Sequence, residues 1–237
     1  MENPDAGPAL DTGVFVISID VELAWGIRDH LSARALQGLD AERAIVERLL
    51  TLFRSYNVSA TWAIVGGLLG ADAWRTVQLP PGLTLDPSQW HAADIVQRVR
   101  EAVPQQEVGS HSFAHTIFDE RTLSREEASA DVLSARQAHA AAGLPFEAFV
   151  FPRNVVGFPS VLADNGVRVF RGATPRWYSM LPGPLFKPGM FLDYLLAATP
   201  PVLQPSVGAP EVWLPGGMVN VADSMLLLGR NGVRSLI

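Results

Sequence analysis

The apolar residues of this chain alternate between two spacings. Short, mainly apolar runs at 14–19, 58–65, 146–151 and 167–170 are rich in β-branched and aromatic residues and read as buried strands. Within 40–56 the apolar positions Ala44, Ile45, Leu49, Leu50, Leu52 and Phe53 recur at helical spacing, opposed by Glu42, Arg43, Glu47, Arg48 and Arg54. Further helices are expected over 92–102 and 124–142. The second opens on Ser124 as N-cap with Glu127 three residues later, a capping box, and stops at Gly143. A two-residue strand at Glu107-Val108 and a short helix over 159–165 complete the pattern. Strand, helix and strand in turn predict an α/β fold, a parallel sheet or barrel whose strand ends deliver polar residues to one rim.

Two stretches break the rhythm. Residues 68–90 carry Pro80, Pro81 and Pro87 with Trp74 and Trp90, and read as an insertion at the rim. Beyond Trp177, eight prolines from Pro182 to Pro215 interrupt everything except a helix expected around 191–198. The acidic, turn-rich residues 1–12 are expected to be a flexible tail, and 13–237 one domain.

Composition narrows the function. With 48% hydrophobic residues and six Trp among 237, the chain buries a large core. A net charge of −6 and no Lys/Arg run exclude a nucleic-acid partner, which needs concentrated basic surface. The absence of Cys excludes disulfides and thiolate metal sites. The first residues lack the charged and apolar regions of an export signal, so a cytoplasmic location is expected. No stretch offers the roughly 18 consecutive apolar residues of a membrane span.

Chemistry is concentrated at two places. Ser18-Ile19-Asp20-Val21-Glu22 sets two carboxylates where an apolar strand ends, and in extended backbone both point to one side, so that one can bind a metal while the other takes a proton. Glu107-Val108-Gly109-Ser110-His111-Ser112-Phe113-Ala114-His115 follows a second strand with two imidazoles four residues apart, one face of a helical turn. Glu22, His111 and His115 together make a His₂-carboxylate set with an open position, the pattern of catalytic rather than structural zinc.

In this order and spacing the two stretches, with Phe149-Val150-Phe151-Pro152-Arg153-Asn154, resemble the polysaccharide deacetylase family (NodB homology, carbohydrate esterase family 4), in particular members with Asp-Val-Asp or Asp-Val-Glu in the first motif. The resemblance implies a distorted (β/α) barrel holding a divalent metal, usually zinc. It also implies hydrolysis of the N-acetyl group of an amino sugar in a glycan or glycan precursor. Asp20 then looks like the general base, Glu22 the carboxylate ligand, and His111 and His115 the imidazole ligands. Trp177 occupies the place of the family's aromatic wall, and Trp25 and Asn154 are further candidate substrate contacts.

The chain departs from the family at three points. Glu22 stands where Asp is commoner, one methylene longer. The family's third-motif Arg precedes the prolines and holds the base, whereas Arg153 follows Pro152; it is still expected to approach Asp20. The family's late His, which protonates the leaving amine, has no counterpart, since no His follows His139. The apolar run at 224–237 reads as the start of a truncated last motif. The alternatives are a sugar-binding protein without turnover and an amidohydrolase acting on a small non-sugar amide. His139 is expected at the solvent face of the long helix.

Overall fold

The computed structural model describes residues 16–196 apart from 71, 78, 85, 174 and 175, together with 198 and 212–216. The expected tail over 1–12 and the apolar run at 224–237 lie outside these. The described residues up to 172 and residues 212–214 belong to one compact unit; those from 173 to 198 and residues 215–216 belong to a second.

The first unit alternates as the apolar pattern predicts. Strand β1 (Ser18–Val21) is followed by a buried 3-10 turn at Leu23–Ile27 and two helices, α1 (Ala33–Gly38) and α2 (Glu42–Tyr56). Strand β2 (Thr61–Ile64), helix α3 (Ala93–Glu101), strand β3 (Glu107–Ser110) and helix α4 (Arg125–Ala141) follow. Strand β4 (Ala148–Val150), helix α5 (Pro159–Asp164) and strand β5 (Val169–Ala173) complete the series. β1 to β5 pair in parallel in chain order, with Asp20 beside Ala63, Ala63 beside Gly109, Ser110 beside Phe149 and Val150 beside Arg171. A further strand, β6 (Val212–Gly216), follows β5 in the sheet order. This is the α/β, curled half-barrel sheet that the alternation demands, and its C-terminal strand ends share one rim.

The strands are shorter than their apolar runs; Ile17 O still accepts from the Thr61 N–H at 2.9 Å just before β1, whereas Val16 is exposed. Among the described residues two clusters form the core. One includes Trp62, Ile64, Trp90, Ile95 and Val99, and the other Phe118, Phe149, Phe151, Leu162 and Phe170, whose rings meet edge to face at 5.1–5.7 Å. Residues 68–90 carry only 3-10 turns among the described residues, and Trp90 at their end is fully buried.

Helix α4 has the capping box intact: Ser124 Oγ accepts from the Glu127 N–H, and Glu127 Oε2 accepts from the Ser124 N–H at 2.9 Å. Its buried stripe includes Ala128, Asp131, Val132, Ala135 and His139. His139 is therefore not at the solvent face as expected. It is fully buried, its Nδ1 donates to Pro145 O at 2.8 Å, and burial pulls its pKa down, which suits a neutral ring.

In the second unit, helix α6 (Gly183–Leu196) starts eight residues earlier than expected, because Pro184 sits in the first turn where a missing N–H costs nothing. Gly189 in it faces Tyr178 and Leu181, and Trp177 Nε1 donates to Asp193 Oδ1 at 2.6 Å.

Candidate metal and active site

Glu22 stands just past β1, in neither helical nor extended backbone (φ −121°, ψ −35°). Its Oε1 lies 2.9 Å from His111 Nε2 and 3.3 Å from His115 Nε2. One ligand atom from each of the three residues falls within 4.8 Å of the others, and both histidines are buried. This trio is the group of three such side chains among the described residues with spacing for a metal ion.

The histidines reach it from a loop, where a helical turn was expected. Residues 111–119 contain no helix, and Ser112 (φ 63°) and His115 (φ 54°) both adopt left-handed backbone. Non-glycine residues hold such conformations where the surroundings over-determine them. Here Gly66 and Gly67 N–H groups donate to Ser112 O and Phe113 O, each at 2.8 Å. From the other side, the Asp131 carboxylate of α4 accepts from the N–H groups of Phe113 (2.9 Å) and Ala114 (3.1 Å) and from Thr116 Oγ1 (2.7 Å). Asp131 was missed in the sequence; an acid on the apolar stripe of a helix was its signal.

The donor set fits a divalent cation. His111 Nδ1 donates to Val150 O at 2.8 Å, which leaves Nε2 turned to Glu22 with its lone pair available. A neutral imidazole has one N–H, so the second short contact to an oxygen calls for an extra proton or a shared cation. Burial opposes ionisation of Glu22, but hydrogen bonds with His111 and His115 outweigh it and hold the carboxyl well below the usual range. An ionised acid and two imidazoles at these spacings are ligands for zinc or a similar ion.

Asp20 lies on β1 two residues before Glu22, and its partner differs from the expectation. Arg171 on β5 forks onto both its oxygens, Nη1 to Oδ1 at 3.0 Å and Nη2 to Oδ2 at 2.7 Å. The guanidinium is aimed by Ser18 Oγ (2.8 Å from Nη1) and Asn154 Oδ1 (3.2 Å from Nε). Such a two-point pair fixes orientation as well as charge. Arg153, expected to fill this role, instead pairs with Asp29 at 2.6 Å, both residues being about half exposed. The reason is local: Arg153 follows Pro152 in left-handed backbone (φ 52°), off the strand that would have directed it to Asp20. A charged residue in the apolar run of β5 was the overlooked signal.

The three candidate substrate contacts fare differently. Trp25 is 2% exposed, its Nε1 donating to Trp90 O at 3.3 Å, so it is a core residue and offers no face to a sugar. Asn154 is half-buried and serves Arg171. Trp177 is 40% exposed in the second unit, while the trio and Asp20 are built wholly from the first. One further group bears on the field of the site. Burial and the nearby Glu22 charge push the Glu42 carboxyl up to about 7, against the pull of Arg43.

Comparison with solved structures finds proteins similar to this chain. A candidate polysaccharide deacetylase from Mycobacterium smegmatis superposes with a TM-score of 0.52 at 14% identity, over 73% of this chain and 56% of that one, so the chain spans little more than half of its length. A de-N-acetylase from Aggregatibacter actinomycetemcomitans gives a TM-score of 0.46 at 13% identity, over 68% of this chain and 63% of that one. A deacetylase domain from Bordetella bronchiseptica gives 0.42 at 14%, over 74% and 84%. Sequence comparison with curated proteins finds no match. None of the described helices is long and apolar enough to cross a membrane. A family model matches residues 38–156, half of the chain, spanning the histidine loop and β4 but beginning after Glu22; the chain belongs to the polysaccharide deacetylase family.

Proposed function

We propose that this chain is a metal-dependent hydrolase that removes the acetyl group from an N-acetylated sugar of a glycan or glycan precursor. The observation that carries the reading is the convergence of Glu22, His111 and His115 next to an Asp20 held by its own guanidinium. Glu22, His111 and His115 would hold the ion, zinc by the chemistry of the set, and it supplies Lewis-acid activation of the acyl carbonyl and of water when bound. Arg171 forks onto Asp20 and fixes its plane, leaving lone pairs to accept a proton from the attacking water. The water oxygen adds to the acyl carbon, the carbon–nitrogen bond breaks, and acetate and a free amine result. The proton that Asp20 takes from the water balances the step when it is delivered to the leaving nitrogen.

The test is acetate release from N-acetylated glucosamine oligomers by the chain after chelation and after zinc is restored. Release only with zinc, abolished in Asp20→Asn, is expected. Tight zinc uptake with no release points instead to a sugar-binding protein, and release only from small acylated amines to a non-sugar amidohydrolase.

A further inference from the structure

The chain turns back over the site directly after its carboxylate ligand. Leu23, Ala24, Trp25 and Gly26, in the 3-10 turn after β1, are all buried, at 2% exposure or less for the first three. Trp25 anchors the turn through its Nε1 bond to Trp90 O and an edge-to-face contact with the Trp90 ring at 5.6 Å. Gly26 sits four residues after Glu22, and its backbone lies outside the left-handed region, so no backbone conformation demands a glycine there. Space does. A Cβ on Gly26 would overlap Glu22 Oε2 and would lie 2.8 Å from Glu22 Cβ and 2.9 Å from Cδ. The missing side chain is the seat of the Glu22 carboxyl.

This geometry bears on the extra methylene of Glu22. A glutamate reaches further than an aspartate from the same Cα, so to meet rings at 2.9 and 3.3 Å it must fold back on its own chain. Oε1 turns to the imidazoles while Oε2 rests over Gly26. We propose that Gly26 is a positioning residue that lets a glutamate, rather than an aspartate, serve as the one-oxygen carboxylate ligand of this site. The inference rests on the metal-site reading above. It pairs the two positions: glutamate at 22 meets a side chain at 26 through its carboxyl as well as its Cβ, whereas aspartate at 22 meets it through the Cβ alone.

The experiment is a double-mutant cycle on the full chain, read as zinc affinity by competition with a chromophoric chelator. Gly26→Ala is expected to weaken zinc binding about tenfold or more in the Glu22 background, as for displaced ligands, but about threefold or less beside Glu22→Asp. The Cβ contact at 2.8 Å is common to both backgrounds and cancels. Equal penalties in the two backgrounds overturn the inference. Should Gly26→Ala bind too little zinc to measure because it folds poorly, the same cycle is read as Tm with Glu22→Ala. A Tm loss that is larger in the wild-type background than beside Glu22→Ala, where only the Cβ contact remains, supports the pairing, and an equal loss overturns it. Wild-type chain that takes up no zinc overturns the metal-site reading itself, a result separable from wild-type binding that Gly26→Ala leaves unchanged.

Discussion

The two halves of the candidate site are held in different ways. The carboxylate half, at the end of β1, is set partly from far along the chain, where Arg171 of β5, aimed by Asn154, holds Asp20, and partly by the adjacent Gly26, which makes room for Glu22. The histidine half is set by backbone. Two glycine N–H groups and one buried carboxylate, Asp131, hold the loop by its peptide groups and leave the rings to face Glu22. A site assembled this way separates two tasks. Orientation of the Asp20 carboxyl depends on a single guanidinium, while placement of the imidazoles is spread over several bonds, no one of which acts alone.

The sharpest break of that contrast is at Asp20. Asp20→Asn is expected to lower kcat for acetate release by about 10²–10⁴-fold, the usual worth of a general base, with zinc affinity unchanged. Arg171→Ala comes next, with kcat down about 10–100-fold and zinc affinity again near wild type; Arg171→Lys does not restore it, because an ammonium cannot fork onto both oxygens. On the histidine side, Asp131→Asn is expected to weaken zinc binding about tenfold. It also lowers stability by about 1–3 kcal/mol, since buried N–H groups lose their acceptor. Val132→Ala on the same helix serves as the matched control: it lowers Tm and leaves zinc affinity alone. Smallest is Arg153→Ala, where an exposed pair with Asp29 contributes about 0.2–1 kcal/mol and kcat stays within about twofold.

Titration sharpens the comparison in the metal-free chain. Glu42 has its pKa raised to about 7 in the fold against 4.5 unperturbed. Between these values the unfolded chain has released the proton and the folded chain still holds it, so stability falls as pH rises from 4.5 to about 7 and levels off above. Glu42→Gln is expected to flatten that fall, checked by urea unfolding at pH values of about 4.5, 6 and 8. The same fall in the variant as in wild type would remove Glu42 from the account.

Much of this was legible in the residues. The capping box of α4, the amphipathic face of α2 and the order of strands and helices follow from local patterns, and the folded chain keeps them. The trio of Glu22, His111 and His115 could be read because strand ends in a parallel sheet point to one rim. What escaped depends on register or on backbone. Arg153 and Arg171 are both cations next to apolar strands, and only the pairing of Val150 with Arg171 and the left-handed turn at Arg153 decide which reaches Asp20. Trp25 and His139 were misplaced for a related reason. An aromatic near a functional motif looks the same in sequence whether it lines a cleft or plugs the core behind it.

The strand order has a consequence for how the site comes into being. Because neighbours in the sheet are neighbours in the chain, a ribosome releases the carboxylates first, the imidazoles next and the guanidinium last. Until residue 171 emerges, Asp20 has no fork to fix it, so a nascent chain holds Glu22, His111 and His115 well before it holds an aimed Asp20.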